Sequence, residues 1–306
     1  MKKALINLHL AVFLAGFTGV LGRLISLNES LLVWYRLVIT VITLALLSVI
    51  QGSFPRISGK GVLKIFGVGA VVAFHWVAFY GSVKYSNVSI ALVCFSTLGF
   101  FSAVLEPYLL KKRISITEVL LGLLAILGVY CIFHFDSRYK TGILFGICSA
   151  VLAALFTILN KKALATYDAK TVTFYELLGG FLVLTMVLPA YLNFFNLDFS
   201  LPAAKDWLWL LILSWLCTVW AFYLSLTALK KISPFTVNLS YNLEPVYGIA
   251  LAFVIYHENQ DLGYSFYLGL SLIVLAVVLQ MGRVYRGRYQ VSGIRSQVLG
   301  DHVEAP

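Results

Sequence analysis

The sequence predicts an all-α integral membrane protein: ten transmembrane helices, built as two inverted five-helix repeats. Three observations predict it. Of the 306 residues, 60% are hydrophobic and only 12% are charged, about half the charge of a soluble domain, and the mean hydropathy is +0.91. Ten apolar runs follow one another, at 4–22, 32–50, 62–83, 88–110, 116–134, 141–160, 171–192, 207–228, 234–256 and 263–283, each near the ~20 residues that cross hydrocarbon as helix. Lysine and arginine alternate between the connections: with the N-terminus inside, 17 lie on the inner side, 5 on the outer, and Arg36 within a run. That is the positive-inside bias repeated along the chain. Hydrocarbon offers the backbone no hydrogen bonds, so the runs must be helices; barrel strands would need an alternation that they lack.

The elements follow in order. The first run comes after Met1-Lys2-Lys3; it is about 19 residues long, has no clear small-residue cleavage site and precedes nine more, so an uncleaved helix is expected rather than a secretory signal. The second carries Arg36 and the seventh Glu176, each about 5 residues inside its run and so able to snorkel to the interface. The third holds His75, Trp76 and Tyr80; His75 is most simply a satisfied buried imidazole. The fourth holds Thr97 and, near its cytoplasmic end, Glu106-Pro107. The sixth has Gly142 and Gly146, suited to close helix packing, and ends at Asn160-Lys161, an ordinary cytoplasmic anchor. On the eighth, Trp220, Tyr223 and Thr227 share one face. Such a stripe is more often packing or an interfacial belt than a substrate wall, although the mid-span position of Trp76 and Trp220 favours a cavity.

The domains expected are 1–135 and 140–284, one repeat each, and a polar cytoplasmic tail over 287–306. The net charge of +10 is accounted for by topology, so nucleic acid is not an expected partner. Cys94, Cys131, Cys148 and Cys217 fall in apolar runs at unrelated spacings, neither a disulfide framework nor a metal site.

Local matches support the repeat. Trp34-Tyr35-Arg36-Leu37 parallels Phe174-Tyr175-Glu176-Leu177 at an offset of 140; the stretches beginning at Tyr85 and Ile232 correspond at 147, as do Gly122 and Gly269. Five spans are an odd number, so the second half must enter the membrane upside down. Inverted repeats are typical of secondary transporters, with the binding site between the halves near the midplane.

The ninth run contains Glu244-Pro245. Counted from Pro234, Glu244 is roughly 15 Å along the helix, close to the bilayer centre, where a charged side chain costs at least about 2.5–3.5 kcal/mol. It should face protein or water, or hold a proton. Pro245 has no N–H, so the carbonyl of Tyr241 loses its partner and the helix bends or breaks. Asn238, Tyr241, Asn242 and Pro245 lie on one face of this helix.

Leu243-Glu244-Pro245-Val246, with Glu258 thirteen residues after the proline, in ten spans forming two halves, resembles the EamA family of the drug/metabolite transporter superfamily. Arg36 and Val83-Lys84-Tyr85 fit the family's first-half pattern, and the resemblance covers residues 4 to about 284. Two departures stand out: His257 precedes Glu258 where the family usually has glycine, and the first half has Thr97-Leu98 where the second has Glu244-Pro245. The resemblance implies a central cavity walled by the third, fourth, eighth and ninth helices, alternating access as the halves rock, and outward movement of small metabolites such as amino acids. By helix it also implies a substrate site at His75, Trp76, Tyr80, Thr97, Trp220, Tyr223, Tyr241, Asn242 and Glu244.

The expected function is therefore that of a secondary permease, an exporter in the bacterial inner membrane with both termini cytoplasmic. It has no cofactor, no metal and no Walker-type phosphate loop. Its partners are a small-molecule substrate and the lipid bilayer; protons carried by Glu244 and a homodimer are left open. The alternative class, an integral membrane enzyme with an intramembrane polar site, would need a nucleophile with its base or a metal cluster. His9, His75, His134, His257 and His302 show no such spacing.

Overall fold

The computed structural model describes residues 2–52, 57–111, 113–135, 139–241, 243–276, 278, 279 and 282. The expected tail over 287–306, and Arg56, Lys112, Arg138 and Arg283 among the basic residues that orient the chain, lie outside them. Among the described residues the protein is all-α.

Helices α1 (Lys2–Gly16) and α2 (Thr18–Leu24) form one stretch interrupted at Phe17. They are followed by α3 (Glu29–Ile50), α4 (Gly59–Tyr85), α5 (Val88–Phe95), α6 (Leu98–Leu110), α7 (Ile116–Phe135), α8 (Lys140–Ala163) and α9 (Ala169–Phe194). A further stretch comprises α10 (Ala204–Ser214), a π turn (Trp215–Trp220) and α11 (Ala221–Leu229). Then come α12 (Pro234–Tyr241), α13 (Glu244–Tyr256) and α14 (Tyr264–Ala276). Among the described residues, seven helical stretches are long and apolar enough to cross a membrane; Ile116–Cys131, Glu244–Tyr256 and Tyr264–Ala276 are shorter apolar helices.

Caps written in the sequence set several helix starts. Asn28, Ser58, Asn87 and Asp168 each accept a hydrogen bond from a backbone N–H three residues on, beginning α3, α4, α5 and α9. Interruptions have local causes too. Before α13, Pro245 supplies no N–H to continue α12. Between α5 and α6, the Ser96 and Thr97 hydroxyls donate to the carbonyls of Val93 and Cys94 at 2.6 and 2.7 Å, competing with the helix's own bonds. The two broken stretches correspond: α5 and α12 begin at 88 and 234, and α6 and α13 at 98 and 244, an offset of 146 in both cases.

Helix α4 is the central element and makes its widest contacts with α8 and α9. Glycine permits the approach, because a Cβ on Gly69 would stand 1.9 Å from the carbonyl oxygen of Glu176. Small residues of this kind let membrane helices close on backbone contact. Large apolar side chains such as Leu46, Leu120, Leu144, Met186 and Val254 are exposed, which suits a surface bathed in hydrocarbon.

One end of the bundle is held by polar contacts. Glu258 pairs with Arg23 and accepts from the backbone N–H of Val88 and Ser89 at 3.0 and 2.9 Å. The Arg23 guanidinium lies 4.4 Å from the centre of the Tyr256 ring. Asp206 accepts from the backbone N–H of Ser26 at 3.1 Å, and Tyr191 donates to Glu29 at 2.7 Å. His257, just before Glu258, has φ 54°, in the left-handed region that favours glycine, so the backbone here suits the glycine that this sequence replaces with histidine.

Candidate functional site

A cavity of about 90 Å³ opens at the centre of the bundle, well above the ~10–15 Å³ that one water needs. Its polar lining comes from six stretches: Thr18 on α2, Arg36 on α3, His75 and Tyr80 on α4, Thr157 and Asn160 on α8, Ser225 on α11, and Asn238, Tyr241 and Glu244 at the α12–α13 break. Trp76, Phe79, Phe95, Phe156 and Phe222 provide aromatic walls.

Arg36 is the largest of the fully buried side chains. Its Nε donates to Thr218 Oγ1 at 2.6 Å, Nη1 to the Tyr80 hydroxyl at 2.9 Å and Nη2 to the Cys217 carbonyl at 3.2 Å. The π turn supplies two of these contacts, since it carries both Cys217 and Thr218; such turns recur at functional sites. The guanidinium also lies 3.9 Å from the centre of the Trp76 ring, a cation–π contact. A guanidinium has five N–H donors, so three are used and two remain for a ligand in the cavity.

Glu244 is buried at the start of α13. The Thr18 hydroxyl is 3.5 Å from its Oε1 and lies closer, at 2.6 Å, to the Ala15 carbonyl. No ion pair within 4.0 Å joins Glu244 to Arg36. Arg36 and Glu244 thus line one aromatic-walled cavity with no ion pair between them. Among the described residues, no three His, Cys, Asp or Glu side chains gather to hold a metal ion.

The structure brings His75, Trp76, Tyr80, Tyr241 and Glu244 together at this cavity. The His75 ring is held by Ser149, with Nδ1 2.9 Å from both its carbonyl and its hydroxyl oxygen. Thr97 is fully buried but turns its hydroxyl to Cys94. Trp220 and Tyr223 stand on the outer surface, 49% and 44% exposed. The face of this stretch that turns inward carries Cys217, Ala221, Phe222, Ser225 and Leu226, on the side of the helix roughly opposite that stripe. Asn242 lies outside the described residues.

Arg36 and Asn160, which the sequence places near span ends, are buried cavity residues instead. Glu176 is likewise fully buried rather than snorkelling, and accepts from the Asn160 amide at 2.8 Å. The reason is where the helices begin. Capped by Asn28 and Asp168, α3 and α9 start at Glu29 and Ala169, which puts Arg36 and Glu176 about 10 Å from their helix starts. Those caps are the signal in the sequence.

The model of the EamA-like transporter family matches residues 2–134 and 140–281. An "Uncharacterized transporter YetK" of Bacillus subtilis strain 168 is 28% identical over 286 residues, covering 89% of this chain and 84% of its own. An "Uncharacterized transporter" of Clostridium kluyveri is 23% identical over 231 residues, 72% of this chain and 71% of its own. A solved crystal structure superposes with a TM-score of 0.64 at 16% identity, covering 94% of this chain and 99% of that one; at that identity the likeness shows the fold alone.

Proposed function

The chain belongs to the EamA-like transporter family, and from that premise we propose that it is a secondary exporter of small zwitterionic metabolites of the amino-acid class. The observation that carries this reading is that Arg36 and Glu244, with no ion pair between them, line one cavity walled by Trp76, Phe79, Phe156 and Phe222. The two remaining N–H groups of Arg36 suit a substrate carboxylate. Glu244 suits its ammonium, and the rings suit an apolar side chain.

Ten crossings in two inverted halves accord with the family match to each half and with the breaks between α5 and α6 and between α12 and α13, equivalent places in the two halves. Interrupted helices in corresponding positions point to a midplane binding site. The cavity reaches toward Asn160, Leu229 and Asn238, which the charge bias assigns to the cytoplasmic side. At the opposite end Glu258 and Arg23 tie α2, α5 and the α13 terminus together. That is the arrangement of a carrier loading from inside, and rocking of the halves would then exchange the open and tied ends.

The test is a thermal-shift screen of purified protein against amino acids, nucleosides, sugars and organic cations, run on wild type, Glu244→Gln and Arg36→Lys. An amino acid that stabilises wild type but neither variant is the expected hit, followed by its flux in liposomes. Equal stabilisation of all three proteins places the substrate elsewhere.

A further inference from the structure

Glu176 of α9 and Asn160 of α8, two helices that both pack on α4, meet inside the bundle, and both side chains are fully buried. The Asn160 amide donates to Glu176 Oε1 at 2.8 Å. The two atoms left over, Glu176 Oε2 and Asn160 Oδ1, are buried without a hydrogen-bond partner. An ionised carboxylate this deep in the protein with one neutral donor is costly, and an orphaned amide oxygen beside it adds to the cost.

Both orphans are acceptors, and one proton removes both. A protonated carboxyl presents one acceptor and one donor on the same edge, and a primary amide presents one donor and one acceptor. The two edges are complementary, and the arm already formed, N–H to Oε1, is half of that cyclic pair. We propose that Glu176 and Asn160 form a proton-binding site, with the proton on Glu176 Oε2 donated to Asn160 Oδ1. In the loading step, hydronium in the cavity gives up one O–H bond, a new O–H bond forms on Oε2, and water is released. The carboxylate and the hydronium both become neutral.

The surroundings suit this use. Asn160 and its neighbour Thr157 line the cavity, so a proton reaches the pair from that side. On the α4 side the backbones of Gly69 and Glu176 are in contact, which leaves no room for water. Charged groups on the packed elements are directed elsewhere. On α4, Lys60 and Lys64 are exposed and His75 is held by Ser149. On α8, Lys162 is exposed and Lys161 donates to the carbonyls of Leu229 and Ile232. Lys170 of α9 donates to Gln51, and Arg36 of α3 is engaged with Thr218, Tyr80 and Cys217. The only side chain that hydrogen-bonds Glu176 among the described residues is the neutral amide of Asn160.

The site is separate from Glu244, which the proposed function assigns to the substrate ammonium. Binding of the proton stands on the geometry of the pair, and only its coupling to flux rests on the exporter reading.

The experiment is infrared spectroscopy of the purified full chain at neutral pH, in H₂O and D₂O, on wild type, Glu176→Gln, Asn160→Leu and Glu244→Gln. Wild type is expected to show a protonated-carboxyl band that shifts in D₂O. That band is lost in Glu176→Gln, moved to higher frequency in Asn160→Leu as its carbonyl loses the amide donor, and retained in Glu244→Gln. Should Glu176→Gln fail to fold, the shift in Asn160→Leu decides. A wild-type spectrum without the band, a band at full height in Glu176→Gln, or one unmoved in Asn160→Leu overturns the proposal. So does a band that disappears when Na⁺ is added, since the orphaned oxygens would then be a metal-cation site. In liposomes, pH-driven uptake should vanish in Glu176→Gln while substrate exchange persists. Absence of all flux, wild type included, would remove the exporter reading and leave the infrared result standing.

Discussion

Glu258 caps α5 through Ser89, 169 residues earlier in the chain: its Oε2 accepts from the Ser89 N–H at 2.9 Å and from the Ser89 hydroxyl at 2.6 Å. Its other oxygen accepts from the Val88 N–H and pairs with Arg23. One carboxylate thus satisfies the orphaned donors of a helix start and joins segments from both halves of the chain. Glu258→Ala should lower stability by about 1–3 kcal/mol for the buried donors left without partners, and Glu258→Gln by less, because an amide oxygen can still cap. Thermal unfolding in detergent checks this; equal midpoints for wild type and Glu258→Ala would show that the cap contributes nothing.

Arg36 uses its fork as well as its charge. Three nitrogens in one plane reach Thr218, Tyr80 and Cys217 while the flat face meets Trp76. A lysine cannot reproduce that geometry. Arg36→Lys should weaken binding of a zwitterionic substrate by about 1.5–3 kcal/mol, on the order of ten- to a hundredfold in Kd. Trp76→Leu, which removes the cation–π contact, should cost about 0.5–2 kcal/mol. Calorimetric titration with the best ligand of the screen measures both, and wild-type affinity in Arg36→Lys would sink the carboxylate assignment.

Trp220 and Tyr223 give the opposite expectation. Both side chains stand on the outer surface, so Trp220→Leu and Tyr223→Leu should leave ligand affinity within about twofold, the scatter of surface changes. A tenfold loss in either would mean that this face of the eighth stretch reaches the substrate.

These residues mark what sequence can and cannot carry. Glu244-Pro245 is legible because a carboxylate and a proline each break the rule of an apolar run, and the structure ends α12 and begins α13 there. His75, Trp76 and Tyr80 are legible as a polar and aromatic cluster in mid-span. Arg36, Asn160 and Glu176 are misjudged because counting apolar residues sets span ends too far inward. The caps at Asn28 and Asp168 carry the true starts. The stripe of Trp220 and Tyr223 is legible as a stripe, but which face of a helix turns inward depends on neighbours that no local pattern names.

His257 sits at φ 54° where the C-terminus of α13 turns toward Glu258. A side chain there costs about 1–2 kcal/mol, part of which glycine returns through its freer unfolded chain. His257→Gly should therefore raise stability modestly, by up to about 1 kcal/mol, visible as a higher unfolding midpoint with unchanged ligand binding. A lower midpoint would mean that the imidazole makes a contact worth more than the strain.

Gly67 and Gly69 lie two residues apart on α4 and should respond to alanine with opposite signs. A Cβ on Gly67 meets nothing within 4 Å, whereas one on Gly69 would fall 1.9 Å from the Glu176 carbonyl oxygen and 2.7 Å from the Gly180 nitrogen. Both of those are backbone atoms of α9, so no side chain can swing aside and the helices must separate. Gly67→Ala gains helix propensity, about 0.8–1.0 kcal/mol in an exposed helix interior. Gly69→Ala overpacks a backbone contact and should cost about 1–3 kcal/mol or more. Because Glu176 is itself at the contact, Gly69→Ala should also disturb its pairing with Asn160 and move the protonated-carboxyl band, which Gly67→Ala leaves in place. Unfolding midpoints and infrared spectra of the two variants, measured side by side, separate the packing role of Gly69 from a general intolerance of α4; equal losses in both would show that the α4–α9 approach is not what glycine serves here.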